Sequence, residues 1–239
     1  MARICSLLSG GKDSNYALYA SLKEGHTVQC IVTVRPARQD SWMFHYPAVD
    51  LARLQVRAMG FEDRHYIVEV SGVKEREVEG LASFLERLYA EIGFDVIVAG
   101  GIASEYQKRR LERIAQRIGV DVYAPQWGME PGEYMRRLVE EGFEFIVTQI
   151  TTYGLGPEFL GVKITREIVE EIIARARRHG FNPAFEGGEA ETLVLYQPLY
   201  RDRRLCVAGK RLSRGEFEHI LIIERAWLDS RDRSCLTVE

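Results

Sequence analysis

Ile4-Cys5-Ser6-Leu7-Leu8, followed by Ser9-Gly10-Gly11-Lys12-Asp13-Ser14, is the stretch on which the reading of the fold turns. The first five residues make a mostly apolar run of strand length. A glycine pair follows, and then Ala17, Leu18 and Leu22 recur at helical spacing until Gly25 stops the pattern. The order is strand, loop, helix. Downstream the alternation repeats, with strands expected at residues 30–34, 65–70, 95–99 and 120–123. Between them lie helical stripes carrying Leu51, Leu54 and Ala58, then Val78 to Ile92, then Leu111, Ile114, Ala115 and Ile118. The last of these stripes opens at Ser104 with a capping-box pattern to Gln107.

Strands that are apolar on both faces and separated by helices imply a five-stranded parallel sheet, doubly wound, with helices on both sides. After Pro125 the pattern changes. A helix carries Met135, Leu138 and Val139, a strand covers residues 145–150, a helix carries Ile168, Ile172 and Ile173, and the tail is rich in strands, at residues 193–196 and 220–223. This divides the chain into residues 1–124, an α/β unit, and residues 125–239, a smaller α+β unit.

The 239 residues have room for one large domain or two small ones, and 46% apolar with 28% charged residues is the composition of a folded domain. Thirty-two Lys and Arg against 35 Asp and Glu leave a net charge of -3, so long nucleic acid is a poor default partner. No apolar stretch is long enough to span a bilayer, and the N-terminus does not read as a signal peptide, so no membrane partner and a cytoplasmic location are expected. Cys5, Cys30, Cys206 and Cys235 are scattered without a C-x-x-C pair, which removes the usual zinc and dithiol signatures and fits a reduced compartment. Cys5 and Cys30 read as strand packing residues. A homo-oligomer is compatible with the sequence, which does not set the number of copies.

A glycine turn between a strand and a helix places the first free helix N–H groups over the loop, where they attract phosphate. Lys12 adds charge, Ser9 and Ser14 add hydroxyls, and Asp13 can cap the helix or hold a metal bound to the phosphates. An ordinary capped turn is the plainer alternative. The spacing is not that of a Walker A loop. A second turn, Gly100-Gly101-Ile102-Ala103-Ser104, follows the fourth expected strand and would face the same crevice in a doubly wound sheet. The first loop resembles the S-G-G-x-D-S loop of the PP-loop ATP pyrophosphatases. That resemblance implies an ATP-binding domain that grips pyrophosphate as ATP is split to AMP, with Mg²⁺ as the accompanying ion.

The second constellation is Glu186-Gly187-Gly188-Glu189-Ala190-Glu191-Thr192, leading into a strand. In an extended chain Glu189 and Glu191 share a face, and two carboxylates that close call for a cation or a proton. A solvated acidic turn is the alternative. Within a PP-loop chain, E-G-G-E-x-E-T is similar to the diphthine ammonia ligase branch. Met43-Phe44-His45, Leu54-Gln55, residues 98–109, Pro125-Gln126-Trp127-Gly128 and Tyr153-Gly154-Leu155 extend the likeness over almost the whole chain. Ala190 departs from it, since that branch usually carries an aromatic or acidic residue there; if that side chain covers substrate, one contact would be lost while its neighbours still work.

The resemblance implies ATP-dependent amidation of diphthine, a modified histidine of translation elongation factor 2, with ammonium as nitrogen donor and AMP and pyrophosphate as products. Lys12 would stabilise the leaving pyrophosphate, and Glu189 or Glu191 would draw in ammonium and take its proton. Trp127, Tyr134 and Tyr153 are candidate hosts for the trimethylammonium group, with His45 and the acidic segment completing the substrate site. Two alternatives remain: another PP-loop adenylating enzyme acting on tRNA or a small molecule, and a non-catalytic ATP-binding module.

Overall fold

The computed structural model describes residues 1–36, 51–71, 74–101, 105–233 and 235–239. Expectations at Met43, Phe44, His45, Ala103 and Ser104 lie outside the described residues, as does the side chain of Gln107. Two compact units are present, residues 1–56 with 61–127, and residues 57–60 with 128–239.

In the first unit the strands are β1 (Arg3–Leu7), β2 (Thr27–Pro36), β3 (His65–Val70), β4 (Val96–Ala99) and β5 (Asp121–Tyr123). The helices are α1 (Lys12–Lys23), α2 (Ala52–Met59), whose final turn groups with the second unit, α3 (Lys74–Ile92) and α4 (Glu105–Ile118). All strand pairs are parallel, in the order β3-β2-β1-β4-β5. Cys5, Val32, Ile97, Leu81 and Leu85 are wholly buried, as strands covered on both faces require. The order reverses between β1 and β4, because the chain builds outward through β2 and β3 and then returns to the other side of β1. In such sheets the ligand crevice lies beyond the carboxyl ends of the strands at that reversal.

The second unit holds α5 (Pro131–Glu140), β6 (Glu144–Ile150), α6 (Arg166–His179), β7 (Ala190–Tyr196), β8 (Arg203–Ser213), β9 (His219–Ser230) and β10 (Leu236–Val238). The sheet order is β10-β8-β9-β6-β7, antiparallel except where β10 runs parallel to β8. Pro131 opens α5 behind Glu130, whose carboxylate accepts the N–H groups of Gly132 at 3.0 Å and Glu133 at 2.7 Å. Thr165 caps α6, and Gly180 ends it in the left-handed conformation. Arg136 of α5 donates to Glu170 of α6 at 2.6 Å, tying the helices together on their exposed side.

The cysteines correct the reading from spacing. Cys5 and Cys30 are register partners in β1 and β2 with Cα atoms 4.6 Å apart, and they form a disulfide. Cys206 and Cys235 form a second, with Cα atoms 5.1 Å apart. Parallel register brings together residues that look isolated along the chain. Among the described residues no helix is long and apolar enough to cross a membrane.

Candidate functional site

Both glycine turns lie where the sheet order reverses, one after β1 and one after β4. Gly10 has φ 96°, a conformation that favours glycine, and Gly11 is the residue before helix α1. Ser9 and Ser14 lock the turn. The Ser9 N–H donates to Ser14 Oγ at 3.1 Å, the two hydroxyls are 3.1 Å apart, and Ser14 Oγ donates to the Gly11 carbonyl at 3.2 Å. Gly100 lies against the other side of this structure, since a Cβ there would overlap the backbone of Asp13 and Ser14. Gly101, with φ 67°, continues the turn. The structure thus brings Ser9, Gly10, Gly11, Lys12, Asp13, Ser14, Gly100 and Gly101 into one place.

Lys12 is buried, and its ammonium donates to both carboxylate oxygens of Asp13, at 2.7 and 2.9 Å. Asp13 therefore does not cap α1, whose Gly11 boundary has no side-chain cap. A hard divalent ion bound mainly by phosphate oxygens and water needs only one or two protein carboxylates, and Asp13 fits that requirement. Among the described residues no group of three His, Cys, Asp or Glu gathers to hold a metal on its own.

Three residues at this site escaped the sequence-based assignment of roles. Gln55 of α2 is wholly buried and donates to the Gly10 carbonyl at 2.9 Å, while Asn15 donates to the Gly11 carbonyl at 3.0 Å and to Gln55 at 3.3 Å. A polar residue four places after Leu51, on the apolar stripe of α2, was the available signal. Gln126 is buried too and donates to the Asp13 carbonyl at 3.4 Å. Its own side-chain oxygen meets no hydrogen-bond donor among the described residues, leaving an acceptor beside the loop.

In the second unit the acidic segment forms a loop that Glu189 folds back to brace. Its carboxylate accepts the N–H of Asn182 at 3.0 Å and that of Gly187 at 2.8 Å. A Cβ on Gly187 would lie 2.7 Å from a Glu189 oxygen, so a side chain there would push the carboxylate aside. Phe185 has φ 63° and Gly188 φ 88°, which turn the chain back toward β7. Glu186 receives a long contact from the Asn182 amide at 3.5 Å. Thr151, the residue after β6, anchors the loop, its N–H reaching the Glu189 carbonyl at 2.8 Å and its hydroxyl reaching that of Gly188.

Glu191 lies in β7 opposite Gln149, half-buried. Ala190 and Thr192 alternate onto the buried face, with Ile150 and Val147 as their strand partners. Ala190, where the sequence departs from the motif, is thus an inward-facing residue. Thr192, expected at the substrate, is likewise inward.

The aromatic candidates separate. Tyr134 is 2% exposed in α5, which corrects its assignment as a substrate host: its ring belongs to the core. Trp127 is 42% exposed, but Lys108 already sits over its ring at 4.3 Å from the centroid. Tyr153 is 61% exposed beside the anchor residue Thr151.

The sequence model of the diphthamide synthase N-terminal domain matches residues 2–122, and that of the diphthamide synthase C-terminal domain matches residues 130–228. Diphthine--ammonia ligase of Danio rerio is 27% identical over 229 residues, covering 90% of this chain and 90% of that protein. The Homo sapiens protein of the same name is 26% identical over 220 residues, covering 84% and 81%. Among solved structures, a predicted subunit of tRNA methyltransferase from Methanocaldococcus jannaschii aligns at 17% identity with TM-score 0.43, over 83% of this chain and 98% of that one. A 4-thiouridine synthetase in complex with RNA and bound ATP aligns at 18% identity with TM-score 0.40, over 81% and 55%. At those scores the description of the fold rests on the sheet topology itself.

Proposed function

The chain belongs to the diphthamide synthase family, and from that premise we propose that it amidates diphthine on translation elongation factor 2, consuming ATP and ammonium and releasing AMP and pyrophosphate. The observation that carries the nucleotide half is the contact of the two glycine turns at the point where the sheet order reverses. A carboxylate is a poor electrophile. Attack of its oxygen on the α-phosphorus makes an acyl adenylate and expels pyrophosphate, whose charge the Lys12 ammonium and the loop N–H groups would stabilise. Mg²⁺, with Asp13 as its protein carboxylate, would supply further neutralisation of the phosphates. Gln55 and Asn15 act as positioning residues by holding the loop carbonyls.

Ammonia then attacks the acyl carbon and AMP departs. Glu189 and Glu191 serve this half of the reaction with divided roles. Glu189 keeps the loop in shape through two backbone N–H groups, and Glu191, in β7, draws in ammonium and takes its proton. The reaction belongs in the cytoplasm, where its substrate works in translation. Incubating the protein with ATP, ammonium and a diphthine-bearing elongation factor, with each small molecule omitted in turn, tests the assignment. The amide should appear by mass only in the complete mixture, and an unmodified factor there would reject it.

A further inference from the structure

Tyr153 and Phe217 are two of the exposed large apolar residues among the described positions, at 61% and 43%, and they meet each other. Their ring centroids are 5.6 Å apart at 82°, although Tyr153 follows the end of β6 and Phe217 lies in the hairpin between β8 and β9. Tyr153 also meets His179, the last residue of α6, at 5.0 Å and 87°. The arrangement is held in place. Gly154 has φ 90°, and a Cβ there would lie 2.6 Å from the His179 ring, so only glycine lets the chain pass this close. Arg175 donates to the Gly154 carbonyl at 3.4 Å and to Glu158 at 2.8 Å. Two residues before Tyr153, Thr151 is bound to the acidic loop.

We propose that Tyr153 and Phe217 form an aromatic corner that selects the quaternary ammonium group of diphthine over a less methylated amine, with His179 as the residue that positions Tyr153. The proposal rests on the amidation reading and assigns Phe217 a role that the motifs do not reach. Two nearly perpendicular rings offer two π surfaces to one cation. A quaternary ammonium carries no N–H, so it gives up no hydrogen bond to water when it moves against them. A protonated tertiary amine keeps one N–H that ring faces satisfy poorly. The carboxylates of the neighbouring acidic loop match the charge of such a ligand.

Tetramethylammonium is the direct probe. It should shift the ring resonances of Tyr153 and Phe217 in the intact protein, where equal concentrations of sodium chloride do not, and absence of such shifts overturns the proposal whether or not amidation is observed. The second arm compares amidation of elongation factor carrying trimethylated diphthine with factor carrying the dimethylated amine. Wild type should show a KM lower by about 5-fold for the trimethylated form, within the range of cation–π energies. Tyr153→Ala and Phe217→Leu should each abolish that preference by raising the KM for the trimethylated factor to that for the dimethylated one, and Tyr153→Phe should retain it. A preference that survives both variants, or a Phe217→Leu protein that keeps it, reduces the rings to apolar packing and contradicts the proposal. Absence of any amide in wild type counts against the amidation reading and leaves the resonance arm to decide the corner.

Discussion

Lys12 and Glu189 show how far a side chain's role can be read before its neighbours are known. The charge of Lys12 beside a glycine turn is legible, and with it the expectation that it meets phosphate. Its bidentate contact with Asp13 depends on the first turn of α1. Replacing Lys12 by Ala should weaken ATP binding by about 10- to 100-fold, the value of a charge-assisted hydrogen bond, with the fold retained by circular dichroism. Unchanged affinity in a titration would remove Lys12 from the site. The pair of carboxylates at 189 and 191 reads from sequence as two equivalent groups. The structure makes them unequal, because the fold-back of Glu189 requires the positive φ of Phe185, which no residue-type preference announces. Glu191→Gln should lower the amidation rate by about 10²-fold while ATP affinity stays near wild type. Glu189→Gln should lower thermal stability as well, by about 1 kcal/mol, since an amide cannot accept both N–H groups. Equal effects of the two substitutions on stability would contradict this division.

At the scale of elements, the five parallel strands of the first unit are legible because strands buried on both faces must be continuously apolar. Their boundaries shift by one residue at β4 and β5 and by up to three at β2. The strand order is not legible, since pairing depends on crossovers rather than on local pattern. The end of the chain was harder still. β8 carries four basic residues among its eleven and β10 has three residues, so neither shows a clean period of two. Of the site, the two glycine turns were visible, whereas the contact between them appears only when β1 and β4 are neighbours. Gly100→Ala tests that contact. A methyl group would have to displace the backbone of Asp13 and Ser14, so a loss of about 2 kcal/mol in urea unfolding and a marked loss of ATP affinity are expected. Wild-type values for both would mean that the two turns do not meet.

For the whole molecule, stability should depend on pH through a group outside the reaction. His65 begins β3 and shares a hydrogen bond of 2.9 Å with Thr33 of β2. Burial first, and then the charge of Arg53, lower its pKa from 6.5 to about 4. The unfolded chain thus takes up a proton below about pH 6.5 that the folded protein refuses until about pH 4. Stability is full above that window and falls as pH drops through it, by about 1.5 kcal/mol after allowing for partial exposure. Urea midpoints across the window should show the fall in wild type and lose it in His65→Gln, and a variant with the same slope would exclude His65 as the cause. The central claim concerns the bond that is made to activate the carboxylate. If its oxygen attacks the α-phosphorus, that oxygen leaves with the nucleotide when ammonia displaces it. The measurement is amidation of elongation factor whose diphthine carboxylate is labelled with oxygen-18, followed by mass analysis of the nucleotide and phosphate products. The account predicts AMP carrying one labelled oxygen for each amide formed, with unlabelled pyrophosphate. Label in inorganic phosphate with ADP as the nucleotide product would contradict it.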